Sequence, residues 1–219
     1  MFMFISNGSV ISIVFAAIIN NKDLFNFFIH IEGDTRERLH QMIDGVTSDL
    51  EFRTVETFDQ LYRYCYQVAS VVGLTVIHIF GFRGEAALPL AEKCGIAFQL
   101  TNILRDVRED ADNDRVYLPA EDLLRFGVLP AQLSGGPRND AFRGLMRFEA
   151  ERARGFFNES RPLVEMVDRG SRASLRALIE IYSQLLDRIV ASDFDVLNQR
   201  IALTTKEKVW ILIREKLRG

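Results

Sequence analysis

Gln99, Asn102, Asp106 and Asp110 recur at spacings of three, four and four within the run from Gly95 to Pro119. No Gly or Pro interrupts residues 96–114, so the run reads as helix. Those spacings stack the four side chains on one face, a turn apart. The two amides sit among Ala97, Phe98, Leu100, Ile103 and Leu104, which turns the amide end of the stripe inward. A buried amide needs a partner. Asp106 and Asp110 are like charges at i,i+4, a cost of roughly 0.2–0.5 kcal/mol in a bare helix. A divalent cation between them reverses that sign. Carboxylate and amide oxygens, with no Cys or His in the stripe, are the ligand set of a hard ion such as Mg²⁺, which keeps waters and recruits phosphate oxygens. The acidic run at 106–114 also reads as an ordinary solvated helix end. On spacing alone the two readings stand level.

An all-α bundle is expected to hold this stripe. Helix is predicted over residues 85–112, with Pro89 in the first turns where a missing N–H does little harm. A long helix over residues 57–80 precedes it, tolerating Gly73 and broken by Gly81-Phe-Arg-Gly84. Upstream, Asp34 caps a helix over 35–50 with Glu37 as capping-box partner, and 51–55 is a connector. Downstream, helices are predicted over 119–126, 140–159, 162–167, 171–190 and 205–217, with the clearest loop at Ser134-Gly-Gly-Pro-Arg-Asn-Asp. No repeat and no alternating strand pattern appears, so the 219 residues read as a single-domain helical bundle. Within it, residues 1–21 form an uncharged apolar segment ahead of a helical domain over 22–219. That segment reads as a buried or interface helix, a mis-assigned or truncated start, or an anchor. Its unbroken apolar core, 13–19, is short against the ~20 residues of a span, and it lacks the basic n-region of a signal peptide.

A net charge of −3 provides no field for nucleic acid. An anionic ligand would need local Arg or metal. Cys65 and Cys94 fall inside predicted helices and read as reduced core thiols of a cytoplasmic protein. His30, His40 and His78 are scattered and read as structural. The seventeen Phe residues read first as core.

The run Gln99-Leu-Thr-Asn-Ile-Leu-Arg-Asp-Val-Arg-Glu-Asp110, followed by Arg115-Val-Tyr-Leu-Pro119, resembles the second aspartate-rich motif of the squalene/phytoene synthase family. Tyr64-Cys-Tyr-Gln-Val-Ala-Ser-Val-Val-Gly73 is similar to that family's tyrosine-containing helix. The likeness extends from about residue 34 to the C-terminus, and looks closest to bacterial members that join two farnesyl diphosphates on the way to hopanoids or squalene.

The resemblance implies an isoprenoid-synthase type of helical bundle and a Mg²⁺-dependent, head-to-head condensation of two prenyl diphosphates. NADPH enters only if the product is reduced to squalene. Asp106 and Asp110 would be metal ligands. Tyr64, Gln99 and Arg105 would act at the reacting centre. Asn102, Arg115 and Tyr182 would bind substrate. For Arg108 a surface role is expected. The partners implied are prenyl diphosphates, with peripheral membrane association as the setting, and the Phe content becomes a tunnel for prenyl chains. The family uses two aspartate-rich motifs, and residues 1–63 hold no Asp-Asp-x-x-Asp pattern. The expectation is therefore that the family's N-terminal helices are lacking. The alternative is a truncated or non-catalytic member serving as a lipid- or protein-binding scaffold.

Overall fold

The computed structural model describes residues 54–218. The expectations for 1–21, for 35–50, for His30 and His40, and the boundary at residue 22 lie outside those residues. Helix α1 is Phe58–Cys65, α2 Val71–Phe80, α3 Ala87–Asp112, α4 Ala120–Phe126, α5 Asp140–Ser160, α6 Leu163–Met166, α7 Arg169–Ala191 and α8 Thr205–Leu217. The described residues hold no strand, only isolated bridges at Thr54–Val116 and Phe82–Val167. The fold is all-α, as composition and periodicity predict.

The centre is α3. Ala91, Cys94, Ile96, Ala97, Phe98, Leu100, Ile103, Leu104 and Val107 bury most of its circumference. It packs most extensively on α5, and then on the α1–α2 junction, α2 and α7. The predicted helix over 57–80 runs unbroken from Phe58 to Phe80 but is not α-helical throughout. Between α1 and α2, residues Tyr66–Ser70 make one π turn, and the Val71 N–H reaches back to the Tyr66 carbonyl. Such a bulge shifts the faces before and after it relative to one another.

The bulge lies where α3 comes closest. A Cβ on Gly95 would stand 2.6 Å from the Ser70 Cα and 2.9 Å from its N. Only glycine lets the two backbones meet there. The Ser70 hydroxyl donates to the Glu92 carbonyl at 2.9 Å, and the Tyr62 hydroxyl to Glu92 Oε1 at 2.5 Å.

Helix α3 ends at Asp112, the end the sequence predicts. Asn113 Nδ2 donates to the Glu109 carbonyl at 2.6 Å, and the backbone N–H groups of Asn113 and Arg115 both donate to the Asp110 carbonyl, at 3.0 and 2.9 Å. Asp114 turns into left-handed conformation, φ 59°. The helix stops because its last carbonyls find partners outside it.

Helix α4 and the lead into α1 cap each other. The N–H groups of Ala120 and Glu121 donate to the carbonyls of Val55 and Glu56, at 2.8 and 3.0 Å. Glu121 Oε1 accepts from the Phe58 N–H at 2.7 Å. A single cation reinforces the join. Arg152 Nη1, on α5, donates to Asp122 Oδ2 at 2.9 Å and to both Glu149 oxygens at 2.8 Å. Its guanidinium lies 4.0 Å from the centre of the Phe58 ring. Glu149 and Asp122 are 2% and 4% exposed, so one guanidinium serves two buried carboxylates. Burial pushes the Glu149 carboxyl up to about 8. Arg152 opposes the rise, and the Asp122 charge adds to it.

Two outcomes follow from this packing. Gly95→Ala forces a Cβ against backbone atoms, an overpacking cost of about 1–3 kcal/mol. Helix propensity returns up to about 1 kcal/mol, so a net loss should appear as a lower urea midpoint. For Glu149, the folded chain holds the proton up to about pH 8 and the unfolded chain only to about 4.5. Its contribution therefore falls as pH rises between those values, because the folded state binds the extra proton there. In Glu149→Gln, urea midpoints measured across that window should decline less than in the parent chain.

Candidate active site

Along α3 the interior gives way to charge at Arg105. Gln99 and Asn102 are half-buried, and Asn102 Nδ2 approaches Gln99 Oε1 at 3.4 Å, a weak contact that puts both amides on one face. Asn102 Oδ1 is buried with no hydrogen-bond partner. A turn later, Asp106 is held by two arginines. Arg105 grips it with two nitrogens, Nε to Oδ1 at 2.8 Å and Nη2 to Oδ2. Arg200, beyond α7, places Nε 3.3 Å from Oδ1 and 3.7 Å from Glu109 Oε2. The side chains of Arg105 and Asp106 are 11% and 15% exposed, so this pair is not a solvated surface contact. Burial works against the Arg105 charge, but the bonds to Asp106 outweigh it and leave the guanidinium more firmly protonated than usual.

Tyr182, on α7, completes the group. It is 3% exposed, and its ring stacks on Phe98 with centroids 4.3 Å apart. Phe157 tilts against the other side of that cluster, 5.9 Å from Phe98. Burial holds the Tyr182 hydroxyl pKa above its ordinary value, against the pull of the Asn102 amide and the Arg105 charge. The hydroxyl is therefore neutral near pH 7 and available as a donor. Five of the residues singled out in the sequence, Gln99, Asn102, Arg105, Asp106 and Tyr182, thus share one neighbourhood.

Tyr64 lies elsewhere on the same framework. It is 8% exposed and stacks on Tyr117 at 4.9 Å. Tyr117 sits inside the Arg115–Pro119 run, so this ring pair joins the tyrosine helix to the end of the acidic motif. Asp110 and Arg115 are half-buried at the turn that closes α3, both engaged in further interactions.

Beside Asp106 a cleft of about 350 Å³ opens between the last turns of α3 and the segment Val196 to Arg200. Arg105, Arg108, Glu109, Gln199 and Arg200 line it. Arg108 is more than a surface arginine. Its Nη1 donates to the Leu197 carbonyl at 2.7 Å and so ties down the 3₁₀ turn Asp195–Leu197, which precedes Arg200 by three residues. Arg200 and Tyr117 were not singled out in the sequence. Arg200 lies 94 positions from its carboxylate, with no local pattern around it. Tyr117 stands within the quoted run.

The donor set fits a hard divalent ion. An orphaned amide oxygen and a carboxylate one turn on provide acceptors without thiol or imidazole. No three acidic, His or Cys side chains gather into one cluster among the described residues. The stripe therefore offers only part of a coordination sphere, leaving room for ligand oxygens and water. His78, with Nδ1 2.6 Å from the Leu74 carbonyl and its ring against Phe82, is structural. Cys65 and Cys94 are buried free thiols. Among the described residues no helix is long and apolar enough to cross a membrane.

The squalene/phytoene synthase family model matches residues 31–207. A chloroplastic phytoene synthase of Daucus carota is 40% identical over 174 residues, covering 77% of this chain and 44% of that protein. The chain spans about half the length of the curated relatives it matches. A crystal structure of a dehydrosqualene synthase superposes with a TM-score of 0.78 at 30% identity, covering 89% of this chain and 69% of that one. Squalene synthase HpnC from Alicyclobacillus acidocaldarius gives 0.69 at 26% identity, covering 72% and 60%.

The hydrogen bond from Arg108 should matter most for the segment that carries Arg200. Arg108→Ala should cost on the order of 1 kcal/mol, leave α3 helical, and speed amide hydrogen exchange over residues 195–200 while α7 keeps its protection.

Proposed function

The chain belongs to the squalene/phytoene synthase family, and from that premise we propose that it takes part in the head-to-head condensation of two prenyl diphosphates, farnesyl to presqualene diphosphate or squalene, or geranylgeranyl to phytoene. One allylic diphosphate ionises and the alkene of the second captures the cation. The observation that carries this reading is the Asp106 carboxylate, held between Arg105 and Arg200 one turn from the unpartnered Asn102 oxygen. Such a site accepts a metal-bound diphosphate and stabilises it as it leaves.

Mg²⁺, when bound, supplies Lewis-acid stabilisation of the leaving diphosphate and a template for its oxygens. Asp106 and Asp110 are the residues that would hold it, with Asn102 Oδ1 contributing at the amide end. Arg105 and Arg200 neutralise phosphate oxygens, with Arg115 as a further candidate at the end of α3. Preorganised charge of this kind, aimed where negative charge develops, is among the largest contributions to such a step. Tyr182 donates its hydroxyl to a phosphate oxygen. We assign Gln99 a place beside the cation, and Tyr64, which stacks on Tyr117, one near the cation or the leaving group. Phe98, Phe157 and the two tyrosine rings exclude water from it. NADPH belongs to the reading only if the product is reduced. The long apolar tails of substrate and product make peripheral association with a membrane, from the cytoplasmic side, part of the same reading.

A second reading is a non-catalytic scaffold. It draws on the two guanidinium groups that already satisfy the Asp106 charge, and it predicts no need for metal.

Radiolabelled farnesyl and geranylgeranyl diphosphates, incubated with the full chain and Mg²⁺, test the assignment. Head-to-head product should form and disappear with chelator. Asp106→Asn or Asp110→Asn should lower turnover by about 10²-fold or more. Calorimetric titration with inorganic pyrophosphate separates the alternatives. Mg²⁺-dependent binding lost in Asp106→Asn supports the enzyme. Absence of any such binding leaves the scaffold. Binding without turnover would mean that these residues form only half of a diphosphate clamp.

A further inference from the structure

Helix α8 is built the wrong way round for a helix that packs on its own protein. Its only buried apolar residue is Ile211. Val209, Trp210, Leu212, Ile213 and Leu217 are 46, 62, 49, 48 and 82% exposed. At a hundred degrees per residue, Val209, Ile213, Leu217 and Trp210 gather on the side opposite Ile211 and Glu215. What holds α8 to α7 is charge instead. Arg188 pairs with Glu207 at 2.5 Å, Arg214 with Glu180 at 2.8 Å and the 3%-exposed Glu215 with Arg176 at 3.5 Å between the two helices, while Arg214 and Arg218 at the end of α8 itself lie 2.9 and 3.1 Å from Glu215.

This fastening consumes both acidic residues of the helix. Glu207 also accepts from the Thr204 N–H and hydroxyl in a capping box. Lys206 and Lys216 remain, exposed, at the two ends of the apolar stripe and with no ion-pair partner among the described residues. An apolar stripe with a tryptophan, bracketed by lysines and stripped of negative charge, is the make-up of a helix lying in a lipid interface. The lysines choose among occupants. A neutral apolar groove on a protein gains nothing from them, whereas a surface of acidic headgroups gains from each.

We propose that the outward face of α8 docks on an anionic lipid bilayer, with Val209, Trp210, Ile213 and Leu217 entering the headgroup–acyl boundary and Lys206 and Lys216 pairing with acidic headgroups. The inference names the surface for the membrane setting proposed above and rests on that setting. Its readout is lipid binding rather than turnover, so either reading can fail alone.

The sequence contains one tryptophan, Trp210, which makes the helix its own probe. The full chain is mixed with vesicles of equimolar phosphatidylcholine and phosphatidylglycerol, and fluorescence and co-sedimentation are followed. Trp210 emission should shift to the blue, with much weaker binding to pure phosphatidylcholine and weaker binding at high salt. Lys206→Gln and Lys216→Gln should each weaken partitioning by about fivefold. Val209→Ser with Ile213→Ser changes exposed positions only, so the chain should keep its circular dichroism and lose vesicle binding. Absence of both the shift and co-sedimentation would overturn the proposal, as would equal affinity for the two vesicle types. An emission already blue-shifted without lipid, together with a dimer in sedimentation equilibrium, would assign the face to a second copy instead.

Discussion

The contact between the backbones of Gly95 and Ser70 sets the geometry on which the rest of the framework turns. Two helices carrying ordinary side chains pack with axes 8–10 Å apart. Here a residue without a Cβ lets α3 touch the π turn directly. That approach fixes α3 against the tyrosine helix just upstream of Gln99, and the Ser70 and Tyr62 hydroxyls lock it by bonding Glu92. From there the α-helical repeat alone carries Gln99, Asn102 and Asp106 to successive turns. At its far end α3 is tied again, because Tyr117 stacks on Tyr64 and the first turn of α4 is capped by Val55 and Glu56. Tyrosine helix and acidic helix are thus pinned at two places, one at each end of the stripe.

Asp106 lives under two competing demands. A carboxylate buried this deeply must be paired, and Arg105 and Arg200 pair it. A diphosphate with its metal would present the same arginines with phosphate oxygens and the same carboxylate with a cation. Under the proposed function the pairing would be an exchangeable one, in which only the partner changes. Had Asp106 been satisfied by backbone N–H groups, it could not be released to a metal without loss. Two guanidinium groups are partners with their own affinity for phosphate, so under that reading the same residues would serve with and without substrate. Asn102 Oδ1, lacking any partner in the one state, has something to gain only in the other.

Much of this was readable in the chain because its causes are local. Gly81, Gly84, Gly127 and the proline positions punctuate the helices, and the spacing of Gln99, Asn102 and Asp106 follows from a single helix. The π turn at Tyr66–Ser70 has no local signature. It belongs to the meeting with Gly95, some 25 residues on in the chain, and within Tyr66-Gln-Val-Ala-Ser70 itself nothing marks it. Arg200 was invisible for the same reason, since its meaning comes from a carboxylate on another helix. Glu149 is a different case. It falls on the face shared by Leu145, Met146 and Ala153, all buried, and a carboxylate in that register is a signal of a buried pair that the helix pattern already contained. Arg108 is the surface arginine that the sequence predicts, and it has a structural contact besides. Its side chain is 46% exposed, and it nonetheless ties down the turn that precedes Arg200.

Helix α8 shows how far a fold can separate attachment from amphipathicity. A helix that sends most of its apolar side chains outward forgoes the burial that normally holds helices in place, worth roughly 1.5–3 kcal/mol for each Leu or Ile fully buried. Exposed ion pairs contribute at most about 1 kcal/mol each, so Arg188–Glu207 and Arg214–Glu180 are a poor substitute one for one. The difference lies in Glu215. At 3% exposure with three arginines around it, it is nearer to a buried, over-compensated anion than to a surface pair, and its loss would leave those cations facing one another. Charge at one buried point thereby frees the opposite face of the helix from any structural duty. An apolar face that meets little among the described residues is costly to keep in water, and the bilayer contact proposed above would relieve that cost.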